Sequence, residues 1–201
     1  MNIALDLSTE RCGIVKFNDE KILERFSISP DYKLHPYLKI KFIVDNLKPH
    51  LKEAENCLIE GIFLNTFASG QHGVVGFETL ARLSGAVVNQ WLETHEVLPT
   101  LLKATEARKL AGVKGNSQKA EIQVFVAQKF NLATEDQLDD FNSMIDAEVV
   151  QLGTKQFTKA TWKKHMDQIS TYIEGEITLG NDEADALILY LAYEAKRLGK
   201  V

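Results

Sequence analysis

Four carboxylates stand where a hydrolytic metal centre needs them. Asp6 closes the apolar run Ile3-Ala-Leu-Asp6, and Glu60 closes Cys57-Leu-Ile-Glu60. Asp182 and Asp185 lie three residues apart in Asn181-Asp-Glu-Ala-Asp185-Ala-Leu187. An acid inside an apolar strand is costly unless something compensates its charge, and acids three apart share one helix face. Like charges gathered together repel, so such a group implies a hard cation with oxygen ligands, Mg²⁺ or Mn²⁺ rather than zinc. Each acid also has a plainer reading. Asp6 suits a strand-end turn beside Ser8 and Thr9, Glu60 an edge residue facing solvent, and Asp182 and Asp185 first-turn acids that meet a helix macrodipole. Only the joint placement carries the metal reading.

The elements that must hold these acids follow from periodicity and turn signals. Residues 2–8, 11–17 and 20–28 read as strands of an antiparallel meander. Pro36 suits the first turn of a helix to about residue 51, with an apolar stripe of Leu38, Phe42, Ile43 and Leu47. Residues 56–60 read as a short buried strand and 70–91 as a helix. That helix has the stripe Leu80, Leu83, Val87, Val88 and Trp91, and its small residues Ala81, Ser84, Gly85 and Ala86 permit close approach. Residues 96–99 read as a strand and 105–110 as a helical turn broken by Gly112. Residues 115–119 form a turn opening a helix through Phe130, with Asn116 or Ser117 as cap. A last helix runs from Asp182 to about Arg197. Three strands, helix, strand, helix, strand, helices is the order of the RNase H-like fold, an α/β mixed five-stranded sheet with helices on both faces. Residues 131–180 exceed what that order requires. They read as a two-helix insertion (134–150 and 158–173) before the last helix, inside one domain spanning 1–201.

The bulk numbers narrow the classes. With 201 residues, 45% hydrophobic and 25% charged, the chain can bury one good core. It has no apolar run of membrane-spanning length, and Met1-Asn2 leads into an acid-bearing strand rather than the pattern of a secretory signal. Cys12 and Cys57 are too few and too isolated for a disulfide framework or zinc ribbon, so a reducing cytoplasm is expected. The net charge of −5 argues against nonspecific coating of nucleic acid, but local fields matter more. Residues 97–130 carry six basic residues against two acids, and 131–180 carry nine acids against four basic residues. Charge is therefore segregated, with one distinctly basic stretch. His72, His95 and His165 lack metal-ligand spacing, and Trp91 and Trp162 are expected to pack.

At five places in order the chain resembles the RuvC-type Holliday-junction resolvases. Ile3-Ala-Leu-Asp6-Leu-Ser is similar to the family's first-strand motif with its catalytic Asp. Leu58-Ile-Glu60-Gly-Ile-Phe63 is similar to the segment carrying the catalytic Glu with a Phe three residues on. Ala81-Arg-Leu-Ser-Gly85-Ala resembles the small-residue helix that follows. Gly115-Asn-Ser-Gln-Lys119-Ala-Glu-Ile-Gln123 resembles the Gly-to-Lys segment, and Asp182-Glu-Ala-Asp185-Ala-Leu187 the closing Asp-x-x-Asp-Ala-Leu motif. Departures exist too. The 131–180 segment is longer than the corresponding link in cellular members. The usual loop glycine after the first strand gives way to Ser8-Thr-Glu-Arg11, and the basic residue ahead of the Gly-to-Lys segment falls at Arg108 or Lys109. Phage-borne relatives vary most in such regions.

The resemblance implies an endodeoxyribonuclease that resolves four-way (Holliday) or branched DNA junctions by paired symmetric nicks, leaving 5′-phosphate and 3′-hydroxyl ends. Two divalent ions can activate the attacking water and stabilise the leaving oxygen. Two Mg²⁺ per site, replaceable by Mn²⁺, would be held by Asp6 as bridging ligand, Glu60 and Asp185 as ligands to separate ions, and Asp182 as ligand or outer neighbour. Lys119 would approach the scissile phosphate. Phe63 would stack on an unpaired base at the junction centre, and Arg108, Lys109 and Lys114 would contact phosphates without reading sequence. A two-fold junction calls for a homodimer, with the Gly73–Trp91 helix as interface. The setting would be a bacterial cytoplasm or a phage-infected host. Two other functions compete. An actin-like ATPase is suggested by Asp6-Leu-Ser-Thr9, against which stands the lack of room for a duplicated domain or a second phosphate loop. A junction- or RNA-binding module without chemistry is the other, against which stand four intact acids.

Overall fold

Alternation along the strands builds both faces of the sheet. The computed structural model describes residues 1–19, 21–61, 71–152 and 158–199. In β1 (Asn2–Asp6), Ile3 and Leu5 belong to one core, and Ala4 to the other. In β4 (Asn56–Glu60), Cys57 and Ile59 share the core of Ile3, and Leu58 shares that of Ala4. The remaining strands are β2 (Cys12–Phe17), β3 (Ile22–Ile28) and β5 (Thr100–Leu102). The sheet order is β3-β2-β1-β4-β5. The pairs β1–β2 and β2–β3 are antiparallel, and β1–β4 and β4–β5 are parallel. Register sets Asp6 opposite Gly13 of β2 and Leu5 opposite Ile59 of β4, so Asp6 and Glu60 are the next residues on adjacent parallel strands. Both acids thus stand at strand C-terminal ends, where open α/β sheets present their ligand sites.

One face is covered by α1 (Pro36–Glu53) and α2 (Gln71–His95), whose Ile43, Leu47, Leu51, Leu83, Val87 and Trp91 pack in the core of Ile3, Leu5 and Ile14. The other carries α3 (Ala104–Ala111), α4 (Lys119–Lys129), α5 (Glu135–Leu152), α6 (Lys159–Ile177) and α7 (Asn181–Arg197). There Ala4, Val15, Phe17 and Leu58 share a core with Ala120, Ala184, Leu187 and Ile188. Phe141 and Ile145 of α5 and Met166, Ile173 and Ile177 of α6 enter the same core, so the long 131–180 segment is built into the domain. No helix of the described residues is long and apolar enough to cross a membrane.

The expected elements occur in the expected order, with three corrections. The stripe of α1 is turned from the expected one: Leu38 and Phe42 are exposed, and Ile40 and Leu51 are buried with Ile43 and Leu47. The strand expected over 96–99 lies instead at Thr100–Leu102. The helical run of α2 continues to His95, Glu96 then takes a positive φ of 55°, and Pro99 has no N–H to pair. The cap of α4 is Gln118 rather than Asn116 or Ser117. Glu121 accepts the Gln118 backbone N–H in a capping box, while the Ser117 N–H turns to the Lys114 carbonyl.

Candidate active site

Strand parity brings Asp6 and Glu60 out on the α7 face, because they stand two residues beyond Ala4 and Leu58. What brings α7 to them is a glycine. A Cβ on Gly13, the partner of Asp6 in β2, would lie 1.9 Å from the Asp182 carbonyl oxygen and 2.6 Å from the Glu183 nitrogen. Only a residue without a side chain lets the first turn of α7 lie directly on the sheet.

That turn is pinned from several sides. Gln123 of α4 donates from Nε2 to the Leu179 carbonyl (2.8 Å), and Ser170 of α6 donates from Oγ to Asn181 Oδ1 (2.5 Å). Arg25 of β3 donates from Nη1 to the Thr178 carbonyl (3.0 Å) and to Glu183 Oε2 (2.7 Å). Glu183 is buried and its charge is matched by Arg25, so it stays out of the acid group. Its neighbours Asp182 and Asp185 turn towards that group.

The electrostatics join the four acids. Asp6 is held well above the ordinary carboxyl range, chiefly by burial, then by the charges of Glu60, Asp185 and Asp182, with Lys119 opposing. Burial and then Asp185 push Glu60 up to about 7, with Arg108 opposing. Asp185 is raised by burial, against Arg108 and Lys119. Asp182 is raised by burial against Arg11 and Lys119. A simple helix-capping acid would move the other way, towards easier ionisation. Four acids whose ionisation is opposed by burial and by one another would gain from a nearby cation.

The basic residues separate sharply. Arg108 donates from Nη2 to Asp185 Oδ1 (3.2 Å) and from Nη1 to the Ser117 carbonyl (3.1 Å). Lys109, the next residue, instead lines a shallow surface pocket with Thr105, Glu106, Leu110 and Lys196. The choice between Arg108 and Lys109 left open above therefore falls on Arg108 as the residue that meets the acids. Lys119 is exposed at the start of α4, and its charge reaches Asp6, Asp182 and Asp185. Lys114 is exposed on the link between α3 and α4. Phe63 lies outside the described residues.

Four residues of this region, Arg11, Gly13, Glu174 and Gly180, escape the motif reading. Arg11, on the link from β1 to β2, donates from Nη1 to Glu174 Oε1 (2.5 Å), and its Nε lies 3.3 Å from Asp182 Oδ2. Gly180 makes room for it, since a Cβ there would fall 1.6 Å from Arg11 Nη2. The one local signal available was Gly13, a glycine interrupting the apolar strand Cys12-Gly-Ile-Val15, which marks a close backbone approach. Arg11 and Glu174 are 163 positions apart and carry no local signal. Elsewhere, Trp91 is buried with Nε1 donating to the Val97 carbonyl, and His95 stacks on it. His165 pairs with Glu148, and the half-buried Trp162 packs against the α7-face core.

Among the described residues, no three Asp, Glu, His or Cys side chains are gathered tightly enough to hold an ion unaided. Mg²⁺ is ordinarily held by one or two carboxylates, with water and substrate phosphate oxygens completing the shell. Buried, mutually repelling carboxylates with no nitrogen or sulfur donor among them fit that mode of binding.

No protein-family model matches the sequence, and no curated protein matches it. By structure the chain is similar to RuvC of Thermus thermophilus, with a TM-score of 0.56 and 14% identity over 98% of this chain and 96% of that one. It is also similar to the T. thermophilus RuvC solved in complex with Holliday junction substrate, with a TM-score of 0.55 and 12% identity over 98% and 95% of the two chains. The five-stranded mixed sheet in the order β3-β2-β1-β4-β5, with helices on both faces, thus gives this chain an RNase H-like α/β fold, that of the T. thermophilus RuvC structures.

Proposed function

We propose that the protein is a metal-dependent, structure-selective endodeoxyribonuclease that resolves four-way or branched DNA junctions. The observation that carries this reading is the electrostatic coupling of four half-buried acids from two strand ends and one helix, with Arg108 and Lys119 beside them. The structural likeness to a RuvC solved with Holliday junction substrate makes four-way-junction DNA the substrate of choice.

Asp6, Glu60, Asp182 and Asp185 would hold two Mg²⁺ ions, with Mn²⁺ able to substitute. Bound there, the metal supplies charge neutralisation at phosphate and an activated water. Asp6 feels all three other acids, which suits the shared ligand. Glu60 and Asp185 then serve separate ions, and Asp182 serves as ligand or outer neighbour. Arg108 orients Asp185 through its hydrogen bond and offsets charge that would otherwise accumulate. Lys119 meets the scissile phosphate as a point charge, Lys109 and Lys114 contact phosphates further along, and Phe63 stacks on an unpaired base. Paired symmetric nicks need two sites related by a two-fold axis, hence a homodimer. The apolar stripe of α2 is already engaged in its own core, which leaves the outer face with Arg82, Gly85 and Asn89 for a second copy.

The test is a labelled synthetic four-way junction incubated with and without Mg²⁺. Metal-dependent, symmetric nicks with 5′-phosphate and 3′-hydroxyl ends are expected. Junction binding without cleavage in either metal would indicate a binding module, and ATP hydrolysis an actin-like ATPase.

A further inference from the structure

Arg11 lies between two carboxylates that hold it unequally. Its Nη1 donates to Glu174 Oε1 at 2.5 Å. Its Nε, 3.3 Å from Asp182 Oδ2, is buried and makes no hydrogen bond. The guanidinium is thus hydrogen-bonded to α6 and reaches Asp182 only as an ion contact. Asp185 is treated differently, since Arg108 hydrogen-bonds it directly and gives its other bond to a neutral carbonyl.

The surroundings fix where Arg11 can go. The link that carries it is fastened on both sides. Cys12 Sγ donates to the Ser8 carbonyl (3.0 Å), and Lys39 Nζ of α1 bonds Glu10 Oε1 (2.7 Å). Gly180 leaves room for the guanidinium at the start of α7, since a Cβ there would fall on it. Glu174 is carried on a helix whose Ser170 already holds Asn181. An arginine with less competition would close onto Asp182, because a charge-assisted pair in a half-buried setting is strong. It would then occupy oxygens that a cation needs.

We propose that Glu174 competes with Asp182 for the Arg11 guanidinium and leaves that pair an ion contact without a hydrogen bond, so that Asp182 keeps its oxygens for a divalent cation. Arg11 and Glu174 are positioning residues, and through them the 131–180 segment tunes the metal site. This rests on the reading of the four acids as metal ligands.

Mn²⁺ titration of the full chain, followed by the loss of the free-ion signal in electron paramagnetic resonance, tests it without any cleavage assay. Glu174→Gln is expected to bind Mn²⁺ about tenfold more weakly, the scale of coupling between neighbouring charges. Arg11→Gln is expected to bind at least as tightly as the wild type. The double variant should match Arg11→Gln, since Glu174 then has nothing to hold away. Equal losses in Arg11→Gln and Glu174→Gln would mean a simple structural clamp and would overturn the proposal. So would a Glu174→Gln affinity equal to that of a metal-binding wild type. A wild type that binds no Mn²⁺ would overturn the metal reading and this proposal with it. Should Glu174→Gln fail to fold, Glu174→Asp takes its place with an expected loss of about threefold, and an unchanged affinity there would equally overturn it.

Discussion

The two faces of the sheet grow from the same alternating strands and hold opposite contents. On the α1–α2 face, Ile3, Leu5, Ile14 and Ile59 meet Ile43, Leu47, Leu83 and Trp91 in a core of aliphatic side chains, two cysteines and one tryptophan. On the α7 face the same parity ends in Asp6 and Glu60, and Gly13 admits the acidic first turn of a helix against the strands. One step along a strand separates a residue that stabilises the fold from one that burdens it. Stability and chemistry are therefore separable by face, and that separation can be tested.

The largest expected effect falls on the α7 face. Asp6→Asn keeps the shape but removes the carboxylate on which the charges of Glu60, Asp185 and Asp182 converge, and junction cleavage should fall about a thousandfold or more, the scale of losing a principal electrostatic stabiliser. The thermal unfolding midpoint of the protein should be no lower than that of the wild type. A variant that cleaves at the wild-type rate would end the assignment of Asp6.

Next comes a change on the opposite face. Leu47→Ala opens a cavity in a fully buried position of α1 and should cost about 2–5 kcal/mol in urea unfolding. Cleavage per folded molecule should not change. A loss of cleavage beyond the unfolded fraction would show that the faces are not independent.

A smaller effect concerns pH. The Glu60 carboxyl titrates at about 7 in the fold against an ordinary 4.5, so between those values the folded form keeps a proton that the unfolded chain has lost. Stability from Glu60 is therefore full below about pH 4.5 and declines as pH rises through 7. Asp6, Asp182 and Asp185 shift in the same direction. In chelator, the melting temperature should drop between pH 5 and 8, by about 2–3 kcal/mol of stability from Glu60. Glu60→Gln should flatten that drop, and Mg²⁺ should oppose it in the wild type. An identical pH slope in Glu60→Gln would contradict the burial of its charge.

The smallest contrast sets two adjacent residues against each other. Lys109→Ala, on the exposed side of α3, should change stability by no more than about 0.5 kcal/mol and weaken junction binding, with the rate of cleavage at saturating protein unchanged. Arg108→Ala should reduce cleavage clearly, because Asp185 loses its hydrogen-bond partner. Matching losses at the two positions would undo the choice of Arg108.

Much of this was legible in advance. Strand periodicity located β1, β2 and β4, and an acid at the end of an apolar run marked Asp6 and Glu60. Helical spacing marked α1, α2 and α7. The misplacement of β5 came from Pro99 and the backbone reversal at Glu96, which interrupt an apolar run that otherwise reads as continuous strand. The cap of α4 was missed because Asn116 and Ser117 have the better capping propensity, while the Gln118–Glu121 pair satisfied the orphan N–H group.

Local chemistry alone determined which residues are acids at strand ends, which helix begins with Asp-x-x-Asp, and the order of strands and helices that implies an RNase H-like sheet. Those features depend on periodicities of two and 3.6, which are written in neighbouring residues. The tertiary structure decided the rest. It made Asp182 part of the acid group because Gly13 lets α7 touch the sheet, chose Arg108 over Lys109 because Arg108 bonds Asp185 in the first turns of α7 while Lys109 lies in a surface pocket beside Lys196 at its far end, and brought Glu174 to Arg11 across 163 positions. Such pairings come from packing two cores around one sheet, and no run of adjacent residues encodes them.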